Sequence, residues 1–272
     1  MSKEFDHIVK AGTDLYKLII EEISNQSVKK YGGDKYTFEQ LTNWRQVELP
    51  SILEERFKSK KHTWLTKDEL VLLMDWKLAA GKFRPMLPKL IKSNEADVVK
   101  ETTTAGFDIL LQFKDRFGTK QYQDTVKSSL KKLSELRGVG PATASLMLSL
   151  LHKINEKLAP PFFSDESFIY YVVEPTRPGT PIKYNVKEYI EELLPVYFKL
   201  VSNRKDISIQ VFERGAWSLE QIYLNRLHKL SDVKIPFTVD ETDIKAFNDT
   251  DGSNSTKKED LDDGPQKKKR RK

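Results

Sequence analysis

The chain has 272 residues, 38% hydrophobic and 32% charged, with a formal net charge of +6 and no cysteine. There are enough apolar side chains for one main core, whereas disulfides, thiolate zinc sites, iron–sulfur clusters and a cysteine nucleophile are excluded. His7, His62, His152 and His228 lack the paired spacing of a metal site, no apolar run approaches the ~18 residues of a membrane span, and the opening MSKEFDHIVK lacks the apolar centre of a signal peptide; a soluble, intracellular protein without membrane contact is expected.

The first predicted element is DHIVKAGTDLYKLIIEEISNQS, which places Ile8, Val9, Leu15, Leu18, Ile19 and Ile23 near one helical face. TFEQLTNWRQVELPSILEERF follows and is expected to break at Pro50. Thr66 then opens TKDELVLLMDWKLAAGKF with Glu69 three residues on, the spacing of a capping box, and Gly81 is expected to end that helix. NEADVVKETTTAGFDILLQF and DTVKSSLKKLSEL supply two further helices, and PATASLMLSLL another. In FFSDESFIYYVVEP the β-prone run Ile169 to Val173 suits a strand or a short capped helix. VKEYIEELLPVYFKLVSN and AWSLEQIYLNRLHKL complete an all-α, multi-helix reading of residues 1–238, with no repeat period. Trp217 and Tyr223 are expected in the core.

From about Asp240 apolar periodicity is lost, so residues 239–272 are expected to be a disordered tail, acidic and then basic. Nine acids against three lysines between Asp240 and Asp263 offset the six cations Lys267, Lys268, Lys269, Arg270, Arg271 and Lys272. The body therefore carries the whole positive excess, which suits a polyanion partner. The terminal cluster reads as a nuclear-import signal read by an import receptor, as a nonspecific nucleic-acid contact, or as a plain solvated charge run.

The most informative stretch is LRGVGPATASLMLSLL. Gly138 and Gly140 flank Val139, so two helices can join through a very short turn, and Pro141 sits where a first helical turn tolerates a missing N–H. The turn either merely separates two helices or exposes N-terminal amides to an anion, and on a basic body the anion is a nucleic-acid phosphate. Arg137 is tied to the same turn as a phosphate contact, and Val139 is expected to touch the sugar-phosphate backbone.

With Leu133 and Leu136 before the turn and Thr143, Ala144 and an apolar run after it, the pattern resembles the helix-hairpin-helix of the DNA glycosylase superfamily. That resemblance implies an all-α fold, duplex or damaged DNA as partner, and a hydrated monovalent cation on hairpin carbonyls, with no other cofactor. It also implies that Asp165, 25 residues after Gly140, is the acid that helps water attack or stabilises positive charge on the sugar. Read from the residues alone, Asp165 serves equally as the N-cap of its own helix. Members that cleave the strand have a nucleophilic lysine where this chain has Ala142, so any catalysis would be monofunctional base removal.

LTKDELVLLMDWKLAAGKFRPMLPKLI, ETTTAGF, the hairpin, SDESF and AWSLEQIYLNRLH together resemble a eukaryotic antimeros-like family with a DNA-glycosylase-like domain, over about Tyr36 to Lys229. Within the first segment Trp76 is either a core anchor or a wall of a base pocket, and Lys77, Lys82 and Arg84 are candidate phosphate contacts or an ordinary solvated helix end. Three functions are expected to compete: a monomeric nuclear protein that binds DNA without sequence preference or turnover, a monofunctional glycosylase, and a noncatalytic protein-interaction scaffold.

Overall fold

Apolar side chains recur at helical spacing almost throughout, and the computed structural model, which describes residues 2–115, 117–203, 206–225 and 227, is correspondingly all-α. Among those residues the only bridge between extended segments is an isolated one joining Tyr31 and Tyr36. One compact unit covers Met1–Val233. The expected tail at 239–272, its basic cluster and His228 lie outside the described residues.

Helix α1 (Ser2–Lys10) runs through a π turn at Ala11–Leu15 into α2 (Tyr16–Asn25). The wider turn rotates the apolar face, so Leu15, Tyr16, Ile19 and Ile20 are buried while Leu18, expected on the inner face, is 46% exposed. This N-terminal pair crosses the last helix at backbone distance. A Cβ on Gly12 would lie 2.1 Å from the Val211 carbonyl oxygen, and one on Gly215 would lie 2.3 Å from that of Ile8, so only glycine permits the crossing.

The next helical run does not break at Pro50. Helix α3 (Phe38–Asn43), capped by a Thr37–Gln40 box, passes through a π turn at Trp44–Glu48 into α4 (Leu49–Lys60). The same device recurs at Ile169–Val173 before Pro175 and at Glu188–Leu193 before Pro195. A proline inside a helix lacks one N–H and its ring collides with the carbonyl four residues back. Widening the preceding turn accommodates both, so three of the four π turns among the described residues sit one residue ahead of a Leu-Pro or Glu-Pro pair.

Helix α5 (Lys67–Ala80) has the expected Thr66–Glu69 capping box and stops at Gly81. A strap of residues 81–86 leads into α6 (Leu87–Lys92), then α7 (Ala96–Leu111) and α8 (Lys120–Leu133) pack side by side. Helix α9 (Pro141–Ser149) is the apolar centre of the molecule, buried over Ala142–Ser149. Beyond it come α10 (Asp165–Phe168), α11 (Glu174–Thr176), α12 (Leu194–Asn203) and α13 (Ile209–Leu224). Ile169–Val173 is therefore helical rather than extended. Trp217 is buried and Tyr223 half-buried. Among the described residues no helix is long and apolar enough to cross a membrane.

Candidate functional site

The α8–α9 link forms a tight turn because the Val139 N–H donates to the Leu136 carbonyl at 3.1 Å. Gly138 occupies its third position with φ +79°, the left-handed value that a type II turn requires there. A Cβ at Gly138 would also stand 3.0 Å from the Leu90 Cβ, so the turn is pressed against α6. The amides of Gly138 and Gly140 have no hydrogen-bond partner among the described residues. Gly140 is the N-cap residue of α9, in extended backbone at φ −101°, and nothing stands within 4 Å of the position of its missing Cβ. Arg137 is exposed beside them. Val139 departs from expectation. Its side chain is buried and its N–H is spent inside the turn, because the turn points this residue into the core.

The turn is held by a residue that the sequence did not flag. Asn94, buried just after α6, accepts the Arg137 N–H at 2.8 Å and donates to the Arg137 carbonyl at 3.0 Å, with further donations to the Ile91 and Leu90 carbonyls. One side-chain amide thus joins the C-terminal end of α6 to the hairpin across 43 residues of chain. It also bears on the cation implied by the resemblance. The Leu136, Arg137 and Gly140 carbonyls each accept one N–H, from Val139, Asn94 and Ala144, and each oxygen keeps a second lone pair that a cation would share.

Asp165 begins α10, but Ser164, not Asp165, is the N-cap: its hydroxyl accepts the Ser167 N–H. The Asp165 carboxylate is left for other partners and accepts the Tyr184 hydroxyl at 2.7 Å. Tyr184 is itself held in left-handed backbone at φ 56°, and the Arg84 guanidinium lies over its ring, 4.8 Å from the centroid. Burial, then the Asp165 carboxylate, push the Tyr184 phenol well above its ordinary range, while Arg84 opposes them. Its proton therefore stays available to Asp165.

Lys77, Lys82 and Arg84 line one cleft with Asp165 and Glu166, backed by Trp76. Sequence proximity joined the three cations, but only folding sets them against the acids. Lys82 is exposed, whereas Lys77 turns inward, and burial pulls its ammonium below the ordinary lysine range against the attraction of Asp165 and Glu166. Glu166 keeps some surface exposure but its carboxyl is enclosed. Burial, reinforced by the nearby Asp165 charge and opposed by its own backbone N–H, raises it from 4.5 to about 8. The cleft holds two acids with different surroundings, one fed by a phenol and one pushed toward neutrality. Its cavity volume is only about 20 Å³, the space of roughly one water.

Trp76 is a core anchor that also borders the cleft. It is buried, donates its indole N–H to the Thr42 hydroxyl at 3.1 Å, and presents an edge to the cleft. Beneath it the Arg45 guanidinium stacks 4.5 Å from the ring centroid and donates to the Ser149 hydroxyl at 3.2 Å. Glu213 is buried nearby; burial raises its carboxyl, while Arg45 and a hydrogen bond with Ser164 draw it back. This ionic layer supports the cap of α10. A second tie runs from the hairpin helix, where the Ser145 hydroxyl donates to Ala142 and accepts the Phe163 N–H at 2.9 Å. Among the described residues no grouping of three or more acids or histidines is placed to hold a metal ion. No protein-family model, curated protein or solved structure matches this chain.

Proposed function

We propose that this chain is a DNA-binding protein of the helix-hairpin-helix, glycosylase-like kind, which grips duplex phosphates without strong sequence preference. One observation carries the reading: the hairpin leaves the Gly138 and Gly140 amides without partners, in front of open space at Gly140, with Arg137 exposed beside them. A phosphate accepts from such amides, the α9 dipole favours its charge, and Arg137 adds a full cation. Contacts of this type position a duplex but carry no base information. Lys82 and Arg84, at the rim of the Asp165 cleft, are further phosphate contacts in this proposal, whereas Lys77 serves the cleft. Nuclear residence and recognition of Lys267–Lys272 by an import receptor belong to the same proposal, as does a monomeric state.

A second reading, a monofunctional DNA glycosylase, is favoured by Asp165. That carboxylate is free of capping duty, held by a phenol and set beside Glu166 and Lys77. An anion placed there would stabilise positive charge developing on a sugar. The cavity of about 20 Å³ has no room for a base, so this reading also requires the cleft to open. Binding is therefore the primary proposal.

Gly140→Asp tests it directly. Asp is a preferred N-cap residue and meets no clash at this position, so thermal stability should hold or rise. Its carboxylate would occupy the phosphate position, and affinity for labelled duplex should fall by about tenfold or more. Wild-type affinity should decline steeply with salt, and Arg137→Ala should reduce the slope by about one. Undiminished binding by a folded Gly140→Asp protein would remove the hairpin from the interface. For the second reading, Asp165→Asn should abolish alkali-sensitive cleavage of lesion-bearing duplexes while leaving binding intact; base release that survives the change counts against the assigned role.

A further inference from the structure

Between α2 and α3 the chain reads VKKYGGDKY, and it folds into a small protruding loop. The Tyr31 N–H donates to the Tyr36 carbonyl at 2.9 Å and the Tyr36 N–H returns to Tyr31 at 3.1 Å. Three consecutive residues, Gly32, Gly33 and Asp34, all adopt left-handed backbone, with φ of 61°, 68° and 65°. The Gly32 N–H is anchored on the Asp75 carboxylate of α5 at 3.2 Å. So tight a loop displays its side chains in a set arrangement: Lys29, Lys30 and Lys35 are exposed, with Asp34 the one acid among them.

Next to this loop stands Phe83 from the strap, 59% exposed. The Lys29 ammonium lies 5.2 Å from the Tyr31 ring centroid and 5.8 Å from that of Phe83, bringing the cations and the aromatic rings together. Loop and strap share a shallow open cavity of about 210 Å³, below the ~300 Å³ of pockets that enclose a small molecule. A large apolar ring left in water beside the Lys29 and Lys30 cations fits a partner that offers both a flat face and negative charge. A nucleotide has both.

We propose that Phe83 and the Lys29–Tyr36 loop form a second nucleic-acid contact, which takes an unpaired nucleotide next to the duplex gripped at the hairpin. The exposed ring stacks the base, and Lys29, Lys30 and Lys35 meet the flanking phosphates. Asp75, already engaged by the Gly32 amide, holds the loop in place. Helix α6 (Leu87–Lys92) spans ~9 Å; it starts four residues beyond Phe83 and ends two residues before Asn94, the residue that clasps the hairpin. The strap and α6 thus connect the two contacts through one short run of chain. The proposal rests on the DNA-binding reading and makes its partner more specific: duplex interrupted by unpaired bases rather than intact duplex.

The test compares the full chain, Phe83→Ala, a Lys29→Ala/Lys30→Ala/Lys35→Ala variant and Gly140→Asp on two labelled duplexes of one sequence, one intact and one with a short central bubble. The wild type should prefer the bubble by about fivefold or more, the effect of one stacked base. Phe83→Ala should lose that preference while retaining its affinity for intact duplex, and the triple lysine variant should show a shallower salt dependence on the bubble. Equal wild-type affinity for the two duplexes, or a preference that survives Phe83→Ala, overturns the proposal. If intact duplex is then still bound in a Gly140-dependent manner, the hairpin reading stands; if neither duplex is bound, both fall. Because Phe83 is mostly exposed, its replacement should not unfold the protein.

Discussion

The hairpin turn and the Asp165 cleft are joined by one strap and built from similar short-range signals, yet they treat their polar groups in opposite ways. At the hairpin, Asn94 saturates the inner side of the turn and leaves the Gly138 and Gly140 amides facing out. In the cleft the groups face each other: Tyr184 donates to Asp165, Arg84 lies on Tyr184, and Lys77 turns in toward both acids. A turn locked from behind is ready for a ligand without rearrangement, whereas a cleft whose charges are mutually engaged must first give up those interactions. The contrast explains why binding is the primary proposal and turnover the second.

The largest effect should come from Asn94→Ala. It leaves the part-buried Arg137 N–H and carbonyl without their partner, and urea denaturation should register a loss of about 3 kcal/mol. Weaker duplex binding should accompany it, because the turn is no longer held; unchanged stability would mean that the hairpin does not depend on its clasp. Glu166 offers the next effect, this time on the cleft. A carboxyl raised in the folded protein to about 8 from 4.5 binds a proton that the unfolded chain releases. Stability should therefore be highest below the unfolded value, fall as pH rises between the two, and level off above about 8. Glu166→Gln should flatten that fall and gain about 2 kcal/mol at pH 9, measured as denaturation midpoints across pH. A variant that follows the wild-type profile would show that this carboxyl is not enclosed. The smallest effect, about 1 kcal/mol, is expected for Ser164→Ala, which removes the cap of α10. If the cap aims Asp165, heteronuclear spectra should show the Tyr184 ring signals shifting as well.

Much of the helical framework was legible because its determinants are local. The Thr66–Glu69 capping box and the Gly81 stop lie within one or two turns of what they control. Gly138 likewise declared a turn through its own backbone freedom. Failures arose where a local rule met a tertiary or backbone adjustment. Pro50 should have broken a helix, but a π turn absorbed it. Leu18 should have been inside, but another π turn rotated it outward. At the sites, Asp165 and Arg137 were visible as residue types at marked positions. Asn94, Tyr184 and the buried Arg45–Glu213 layer were not, since neither Asn in a loop nor Tyr before Asn carries a pattern.

By itself the sequence determined the all-α class of the described residues, several helix ends, the Gly138 turn and the lack of any thiol chemistry, all consequences of residue type and spacing along the chain. Only the tertiary structure decided which groups meet. It set Asn94 against Arg137 across 43 residues and Tyr184 against Asp165 across 19, turned Lys77 inward and Val139 into the core, and left Phe83 in solvent beside the lysine loop. Such pairings depend on how helices cross and on which face each crossing buries, and a one-residue change of helical pitch before a proline is enough to alter that face.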